Sequence, residues 1–438
     1  VDASFTSTIG NDWDINTRVV RSSQDTFLRR YKFNTETSLK SSATATRIMS
    51  DRYYYIEASD RQSLTTTNKN TNEPTILPHV FYEKNKKGWR PQQQLRTEIS
   101  ALQLDNDQDN DYARWSGVFE IAEDIPVKQG IGNYNASLMA NYYEMHSQSS
   151  DASTKLGTVA HTNPSISLGW RMPVAVTGFG RMAMIEPKAQ VTYVGGNDRT
   201  DDIPNRDAAE YRIDEANLFL PHRYQGKDYI LPGTRVDAGV GATANDQYFG
   251  IVAAFAGISR RLSGTPSAGL NANQDDIYSD YVASLSMSPT DLINIRWSGR
   301  MSSHDFALNE SKTVASSNFG AGYLNLTHNQ LSQAYFANSD DDREELSATL
   351  GQTIGAGWSL TASQIWDLSY SKTVREKTTA ALNWAGGPQD CLTLTVNYEH
   401  DPNSDRDIGA IDQINFVLSF KHLGALSQDT IAGLAGGE

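Results

Sequence analysis

Regular alternation of apolar and polar residues constrains the fold of this chain more than any other feature. In residues 1–9, "VDASFTSTI", Val1, Phe5 and Ile9 occupy odd positions, and every even position is polar. The same period of two recurs in "ARWSGVFEI" (113–121), "INIRWSGRM" (293–301) and "CLTLTVNY" (391–398). Successive side chains of a strand point to opposite faces, so this pattern predicts strands with one apolar and one polar face. We therefore expect an all-β chain with roughly 18 to 20 antiparallel strands.

Apolar runs in the sequence are short. The longest, residues 249–258 ("FGIVAAFAGI"), has ten residues, about half of the ~20 that a membrane-spanning helix requires. A transmembrane strand needs only about 9–11 residues and exposes one face to lipid. A chain with 38% hydrophobic residues and a net charge of -14 is therefore compatible with a membrane barrel as well as with a water-soluble β-protein.

Connector lengths favour the membrane barrel. Beyond residue 278, short links alternate with longer polar ones, and this alternation is typical of outer-membrane barrels, which have short periplasmic turns and long external loops. We predict a large transmembrane antiparallel β-barrel of the outer-membrane type, with the short links facing the periplasm. The predicted short links are 288–291, 325–330, 354–357 and 386–389, and the predicted long ones are 302–316, 338–345, 371–376 and 401–412.

The sequence contains a single cysteine, Cys391, just after the short link 386–389. On the periplasmic side it would lie in an oxidising compartment, where disulfides persist. An odd cysteine there implies either a partner outside this chain or a free thiol. A small buried apolar residue is the alternative interpretation.

Motifs of enzymes and of nucleic-acid-binding proteins are not found in the sequence. The eight histidines are scattered, and none belongs to a recognisable nucleophile or metal motif. We find no glycine-rich phosphate loop and no basic strip for nucleic acid. We expect a protein that is not an enzyme and that uses no cofactor, metal or nucleic-acid partner.

The longest connector, residues 195–231, is rich in acidic residues. Connectors of this length in compact proteins are usually functional or disordered. One interpretation is that Leu218, Phe219 and Tyr224 tuck inward and cap the lumen of the barrel. The alternative is a solvated external loop.

Four stretches, residues 12–31, 187–194, 214–242 and 390–424, resemble in sequence and in order the C-terminal barrel of the LptD family. LptD proteins, also called organic solvent tolerance proteins, assemble lipopolysaccharide (LPS) in the outer membrane. The resemblance depends most on residues in the long connector and near the end of the chain: Asn217, Leu218, Phe219, Arg223, Tyr224, Gly226 and Asp228, and Cys391 with the run Asp405, Arg406 and Asp407.

The resemblance implies a translocon in the outer membrane of a Gram-negative bacterium that inserts LPS into the outer leaflet. In this family a periplasmic N-terminal jellyroll domain receives LPS from a periplasmic bridge protein, and an LptE-like lipoprotein plugs the barrel. Acyl chains pass through a lateral gate between the first and last strands, and the sugar portion travels through the lumen. Cys391 matches a cysteine that forms an interdomain disulfide. Leu392 replaces a second adjacent cysteine, so at most one such disulfide can use this site.

The resemblance also suggests how the chain is organised. Residues 1–424 are expected to form a C-terminal barrel domain, part of a larger barrel, without the jellyroll domain and the first barrel strands. Residues 425–438 are expected to be a flexible tail. Candidate lumen-facing residues are Thr393, Thr395, Asn397 and Glu399, and candidates for the last-strand side of the gate are Ile414, Phe416, Leu418 and Phe420.

Two other functions fit the alternation. A general diffusion porin or passive transporter would have the same barrel and the same hydroxyl and amide lining, which suits nutrients as well as saccharides. A soluble β-rich adhesin or solenoid would pack its apolar faces together, but the sequence shows no repeat of fixed period.

Overall fold

A computed structural model gives the structure of most of the chain. It describes residues 2–10, 12–23, 36–64, 74–105, 111–146, 157–178, 181–197, 202–203, 207, 213–224, 226–264, 277–332, 342–369, 376–387, 391–402, 410–420 and 424–427. The chain divides into two compact units. Unit 1 comprises Val1–Pro173, Glu186–Gly239 and Ile258–Ser279, and unit 2 comprises Val174–Ile185, Val240–Gly257 and Asp280–Glu438.

The regular elements of the described residues are β-strands, and paired neighbours run antiparallel. The first strands are β1 (Asp2–Ile9), β2 (Trp13–Val20), β3 (Ser38–Ile48), β4 (Arg52–Ser63), β5 (Thr75–Lys87), β6 (Gln94–Asp105), β7 (Tyr112–Val127), β8 (Gly130–Met145), β9 (Gly157–Arg171), β10 (Val174–Gly178), β11 (Arg181–Val194) and β12 (Gly233–Asp246). The others are β13 (Gly250–Ser263), β14 (Tyr281–Thr290), β15 (Ile293–Met301), β16 (Leu308–Phe319), β17 (Gly322–Leu331), β18 (Arg343–Gly355), β19 (Trp358–Asp367), β20 (Lys377–Gly386), β21 (Leu392–Asp401), β22 (Ile411–Phe420) and β23 (Gly424–Ser427).

Each unit is built from hairpins in chain order. In unit 1 the strands from β1 to β9 pair consecutively, and β9 pairs with residues 188–194 of β11. In unit 2 β10 pairs with residues 181–185 of β11, and the strands from β13 to β23 pair consecutively. Pro173 lies between β9 and β10, and a proline cannot donate a ladder hydrogen bond.

Short turns alternate with longer connectors along the chain, as the sequence predicts. Two residues connect β7 to β8, β16 to β17 and β18 to β19, whereas β8 and β9, or β11 and β12, are separated by much longer segments. Two of the predicted connectors are wrong. Residues 325–330 belong to β17, and most of 302–316 belongs to β16, so the turn lies at 320–321. The polar residues Asn325, Thr327 and Asn329 resemble a turn in composition, but they share one face of β17, and Leu324 and Leu326 lie on the other face.

The structure contains more strands than periodicity predicts. β3, "SLKSSATATRI", has few large apolar residues, and β4 has three consecutive tyrosines after its first residue, so neither shows a clean alternation. At the other end of the chain, β23 pairs with β22 beyond residue 424, the predicted end of the barrel domain. Residues 428–438 of the predicted tail lie outside the described part of the chain.

The two faces of the unit 1 strands differ in the sense expected for contact with lipid. On β7, Trp115 and Phe119 are 45% and 46% exposed, whereas Arg114 and Ser116 on the opposite face are each 5% exposed. Water-soluble proteins usually bury their large apolar residues and expose their charges. An apolar exposed face and a polar buried face are the arrangement of a transmembrane β-protein.

Among the described residues, no helix has the length and apolar character needed to span a membrane.

Candidate functional site

Many of the described residues of the connector between β11 and β12, residues 195–232, pack on the polar face of unit 1. We call this segment the inner loop, and the sheet face that it contacts the inner face. Leu218 is fully buried, and Tyr224 and Tyr229 pack together with ring centroids 4.2 Å apart. Ile203 joins a buried cluster with Tyr112 and Tyr143 and with apolar residues of β6 and β8. Much of the described part of the inner loop is therefore packed against strands rather than solvated.

A buried carboxylate anchors the loop to β7 and β8. Asp228 is 2% exposed, and it accepts hydrogen bonds from Arg114 Nη1 at 2.6 Å, Tyr143 Oη at 2.9 Å and Tyr112 Oη at 3.2 Å. The backbone N–H of Asp207 donates a further bond at 3.1 Å. A buried charge is tolerated only where opposite charge and hydrogen bonds compensate its lost hydration, and Asp228 has both.

Asp207 and Lys227 extend this cluster within the loop. Asp207 pairs with Arg114 and accepts the backbone N–H groups of Lys227 and Asp228 at 3.0 and 2.9 Å. Burial raises the pKa of the Asp207 carboxyl, but Arg114 and the two N–H groups outweigh it and hold the pKa below its usual value. Lys227 Nζ pairs with Glu98 and donates to Ser100 Oγ at 2.9 Å, and burial lowers its pKa despite the attraction of Glu98.

A second anchor lies at Arg223. Its guanidinium pairs with the fully buried Asp237 of β12 and donates to Ser259 Oγ of β13 at 2.9 Å. The same group donates to the backbone carbonyl of Leu218 at 2.8 Å, which closes the turn around that side chain. Gln190 of β11 donates to the carbonyl of Phe219 at 2.7 Å. Four elements, the loop, β11, β12 and β13, therefore meet through hydrogen bonds at this point.

His222 directly precedes the second anchor, Arg223, in the inner loop. Its Nε2 is 3.4 Å from Ser137 Oγ of β8. Burial lowers the pKa of the imidazole, and the nearby positive charge of Arg235 lowers it further against the weaker opposing effect of Glu120. The imidazole of His222 is therefore neutral at neutral pH, because its buried position disfavours the charged, protonated form.

The seven residues predicted in the long connector all lie in this loop. Leu218, Tyr224 and Asp228 are buried, Asn217, Phe219 and Arg223 are half-buried, and Gly226 is exposed. Gly226 adopts φ of 85°, and a side chain at this position would collide with Asp207, so the tight approach of the two segments requires glycine. Sequence reasoning did not identify Arg114, Glu98, Asp207 or Lys227. Arg114 and Glu98 do lie on the polar face that alternation predicts for their strands, and this alternation could have identified them as facing inward.

The candidates on β21 lie on the polar face of unit 2. Thr395 Oγ1 donates to Asn383 Oδ1 at 2.8 Å, and Glu399 is buried and pairs with Lys377 Nζ at 2.7 Å. Thr393 and Asn397 share this face because they alternate with Leu394 and Val396. Asp405, Arg406 and Asp407 lie outside the described residues.

The predicted position of the last strand requires a correction. β22 carries Ile414, Phe416, Leu418 and Phe420, but β23 follows it and pairs with residues 417–420. Leu418 and Phe420 therefore lie opposite β23, and Ile414, which is 63% exposed, and Phe416 lie beyond that pairing. The short stretch Gly424–Ser427 has low strand propensity, and only pairing with β22 reveals it.

Cys391 lies immediately before β21, next to the short link that follows β20, and it is exposed. It is therefore not a small buried apolar residue. Its side chain lies beside Gly387 at the same turn.

Comparison with protein families finds a match over residues 1–343 to the family described as LptD, LPS transport system D. No curated protein matches significantly. Several solved structures are similar in fold. The siderophore receptor PirA from Acinetobacter baumannii is 6% identical over 96% of this chain and 73% of its own, with a TM-score of 0.46. The FrpB iron transporter from Neisseria meningitidis is 8% identical over 95% and 76%, with a TM-score of 0.45. The ferric enterobactin receptor PfeA, a mutant from Pseudomonas aeruginosa, is 8% identical over 88% and 70%, with a TM-score of 0.43.

Proposed function

Because this chain belongs to the LptD family of LPS transport proteins, we propose that it forms the barrel of a translocon that inserts LPS into the outer leaflet. The family is one of transport and assembly proteins, and the chain is an all-β protein of the outer-membrane barrel class in the Gram-negative outer membrane. The observation that carries the proposal is the family match over residues 1–343. The inner loop and the polar inner face lie within those residues.

The geometry of unit 1 supports transport of a polar cargo that is gated by the inner loop. The inner face is lined by buried hydroxyl, amide and charged groups, and the loop is attached to it by replaceable hydrogen bonds and ion pairs. The sugar portion of LPS would travel along this face once the loop is displaced. The loop would otherwise cap the lumen and keep large solutes out.

The proposal includes partners outside this chain. An LptE-like lipoprotein would plug the barrel, and a periplasmic bridge protein would deliver LPS to a periplasmic N-terminal domain. The exposed thiol of Cys391, beside a short link, is accessible for a disulfide with a cysteine of that domain. The lateral gate would use β22 and β23. Ile414 and Phe416 belong to the part of β22 that does not pair with β23.

Depletion of the protein in its own cells tests this function. We expect LPS to accumulate at the inner membrane and to fall at the cell surface, as measured by surface labelling and by membrane fractionation. Normal surface LPS together with reduced uptake of small solutes would instead identify a porin or passive transporter. In cells that express the protein with its periplasmic domain, an interdomain disulfide shifts the mobility of the protein on non-reducing gels. Cys391→Ser should abolish this shift, and a shift that persists in the variant would exclude Cys391 from the disulfide.

A further inference from the structure

Four aromatic side chains form a cluster on β4 and β5. The rings of Tyr53 and Tyr55 are stacked at 6.5 Å with an interplanar angle of 12°. Phe81 contacts Tyr53 edge-on at 5.9 Å, and His79 lies 5.8 Å from Tyr55 and 6.4 Å from Phe81. The four rings form a continuous aromatic surface, which we call the aromatic platform.

Strand register places the platform on the inner face. Tyr55 lies opposite Phe81, and Phe81 lies opposite Ser100 of β6. Ser100 is buried and bonds to Lys227 of the inner loop. Lys227 Nζ also lies 5.8 Å from the centre of the Phe81 ring. The platform therefore starts beside Lys227 of the inner loop and continues along β4 toward the short turn at 49–51.

The platform differs from the aromatic pair that the inner loop covers. Tyr112 and Tyr143 are completely buried beneath the loop, whereas the four platform rings remain partly exposed. Polar groups surround the rings: Tyr55 Oη donates to Glu57 Oε2 at 2.7 Å, and Glu57 pairs with Lys40. Aromatic planes bordered by hydroxyl and carboxylate groups suit a ligand with both apolar and polar surfaces.

We propose that the aromatic platform binds the saccharide portion of LPS next to the inner loop. A sugar ring has faces of C–H groups, which pack on aromatic rings, and a rim of hydroxyls, which the carboxylate and phenol groups can bond. Flat aromatic contacts fix few torsions, so successive sugars can slide across them. This inference rests on the proposed function, because that function supplies the saccharide. A polypeptide segment of the plug lipoprotein is the competing occupant, and the test separates the two.

Site-specific photocrosslinking in cells that contain the complete translocon distinguishes these occupants. A photoreactive phenylalanine replaces Tyr53 in one strain and Tyr54 in another. Tyr54 is the matched control, because it is adjacent in sequence but lies on the opposite face, within 6.0 Å of Trp13 and 5.0 Å of Tyr82. The adducts are identified with antibodies to LPS polysaccharide and by mass spectrometry.

We expect position 53 to crosslink to LPS carrying polysaccharide and position 54 to crosslink to phospholipid. Equal LPS yields at the two positions, or only protein adducts at position 53, would overturn the inference. If depletion blocks surface LPS but position 53 yields no LPS adduct, the platform does not bind the saccharide, and the proposed translocon function is retained. If depletion leaves surface LPS normal, the translocon itself fails.

Substitutions provide a second measurement. Tyr55→Ala, with the probe at position 53, should lower the LPS crosslink yield roughly two- to tenfold, the range for loss of one aromatic contact. Tyr55→Phe, which keeps the ring, should largely restore it, and Tyr82→Ala on the opposite face should not change it. Each strain is compared at equal amounts of folded protein in the outer membrane. An undiminished yield in Tyr55→Ala would contradict the platform.

Discussion

At the residue scale, we expect Asp228 to hold the inner loop on the inner face. Its carboxylate is buried among one guanidinium, two phenols and a backbone N–H. Arg114 and Asp228 are both withdrawn from water, so each depends on the other. Removing one charge of such a pair leaves the other buried without compensation, which costs about 3–5 kcal/mol.

Asp228→Asn should therefore release the inner loop without unfolding the strands. We expect hydrogen exchange of amides in 226–232 to accelerate by roughly two orders of magnitude, which corresponds to about 3 kcal/mol, while amides of β7 and β8 stay protected. Cells carrying the variant should become more sensitive to large antibiotics, because an undocked loop no longer caps the lumen.

Asp2→Asn is the matched control for this variant. Asp2 makes a 2.9 Å ion pair with Arg18, but both side chains are more than half exposed. Exposed pairs contribute little to stability, so this charge change should alter neither exchange in the loop nor antibiotic sensitivity. Unchanged loop protection in Asp228→Asn would show that the buried pair does not anchor the loop.

The sequence predicts which residues share a face but not which loop residue meets which strand. Arg114 lies between Ala113 and Trp115, and alternation alone assigns it to the polar face. Its partner Asp228 is 114 residues away, and no local pattern encodes that contact. Burial of Leu218 also depends on the distant strand residues Gln190 and Asp237, which hold the backbone around it.

At the element scale, periodicity finds strands reliably where one face is made of large apolar residues. β15 and β21 show this pattern and appear in the structure as expected. β3 was harder to find because its faces carry small and hydroxylated residues, and its identity comes from pairing with β2 and β4. The turn predicted at 325–330 is instead part of β17, because a strand face made of polar residues resembles a turn in composition.

The inner loop should bind the inner face less tightly in acid. The folded-state pKa of His222 is lowered by burial, so its contribution to docking is complete above the unfolded pKa of about 6.5. That contribution is lost as the pH falls through the lowered folded value. Asp207, whose pKa is also below its usual value, weakens docking in the same direction but only below about pH 4.

Protection factors of amides in 213–224 measure this effect, because they are corrected for the intrinsic pH dependence of exchange. Between pH 7.5 and 5 they should fall, by at most about tenfold per pH unit for one linked proton. His222→Gln should remove the change in this interval. A fall that persists in the variant would assign the pH dependence to another group.

At the scale of the whole molecule, strand faces and connector lengths give the same account of orientation in the membrane. In unit 1 the exposed apolar residues of β7, Trp115 and Phe119, lie on the face opposite the inner loop. In unit 2 Leu350, Tyr398 and Ile414 lie on the face opposite the polar candidates of β21, and they are also exposed. In both units short turns alternate with longer connectors. An outer-membrane protein places such short turns in the periplasm and the longer connectors at the cell surface.

Two alanines at opposite ends of β16 allow a direct test of this orientation. Ala307 lies in the longer connector before the strand and Ala321 lies in the turn after it, and both are exposed. The 12 residues of β16 are enough to cross a bilayer, because a transmembrane strand needs about 9–11.

In a Cys391→Ser background, Ala307→Cys and Ala321→Cys each introduce one thiol with minimal change in volume. We expect a membrane-impermeant maleimide to label position 307 in intact cells and position 321 only after the outer membrane is permeabilised. Cys391 of the native chain lies at the same end of its hairpin as the short links, so it should behave like position 321. Labelling of position 321 but not position 307 in intact cells would invert the orientation. The exposed thiol of Cys391 would then lie at the cell surface, out of reach of a periplasmic domain.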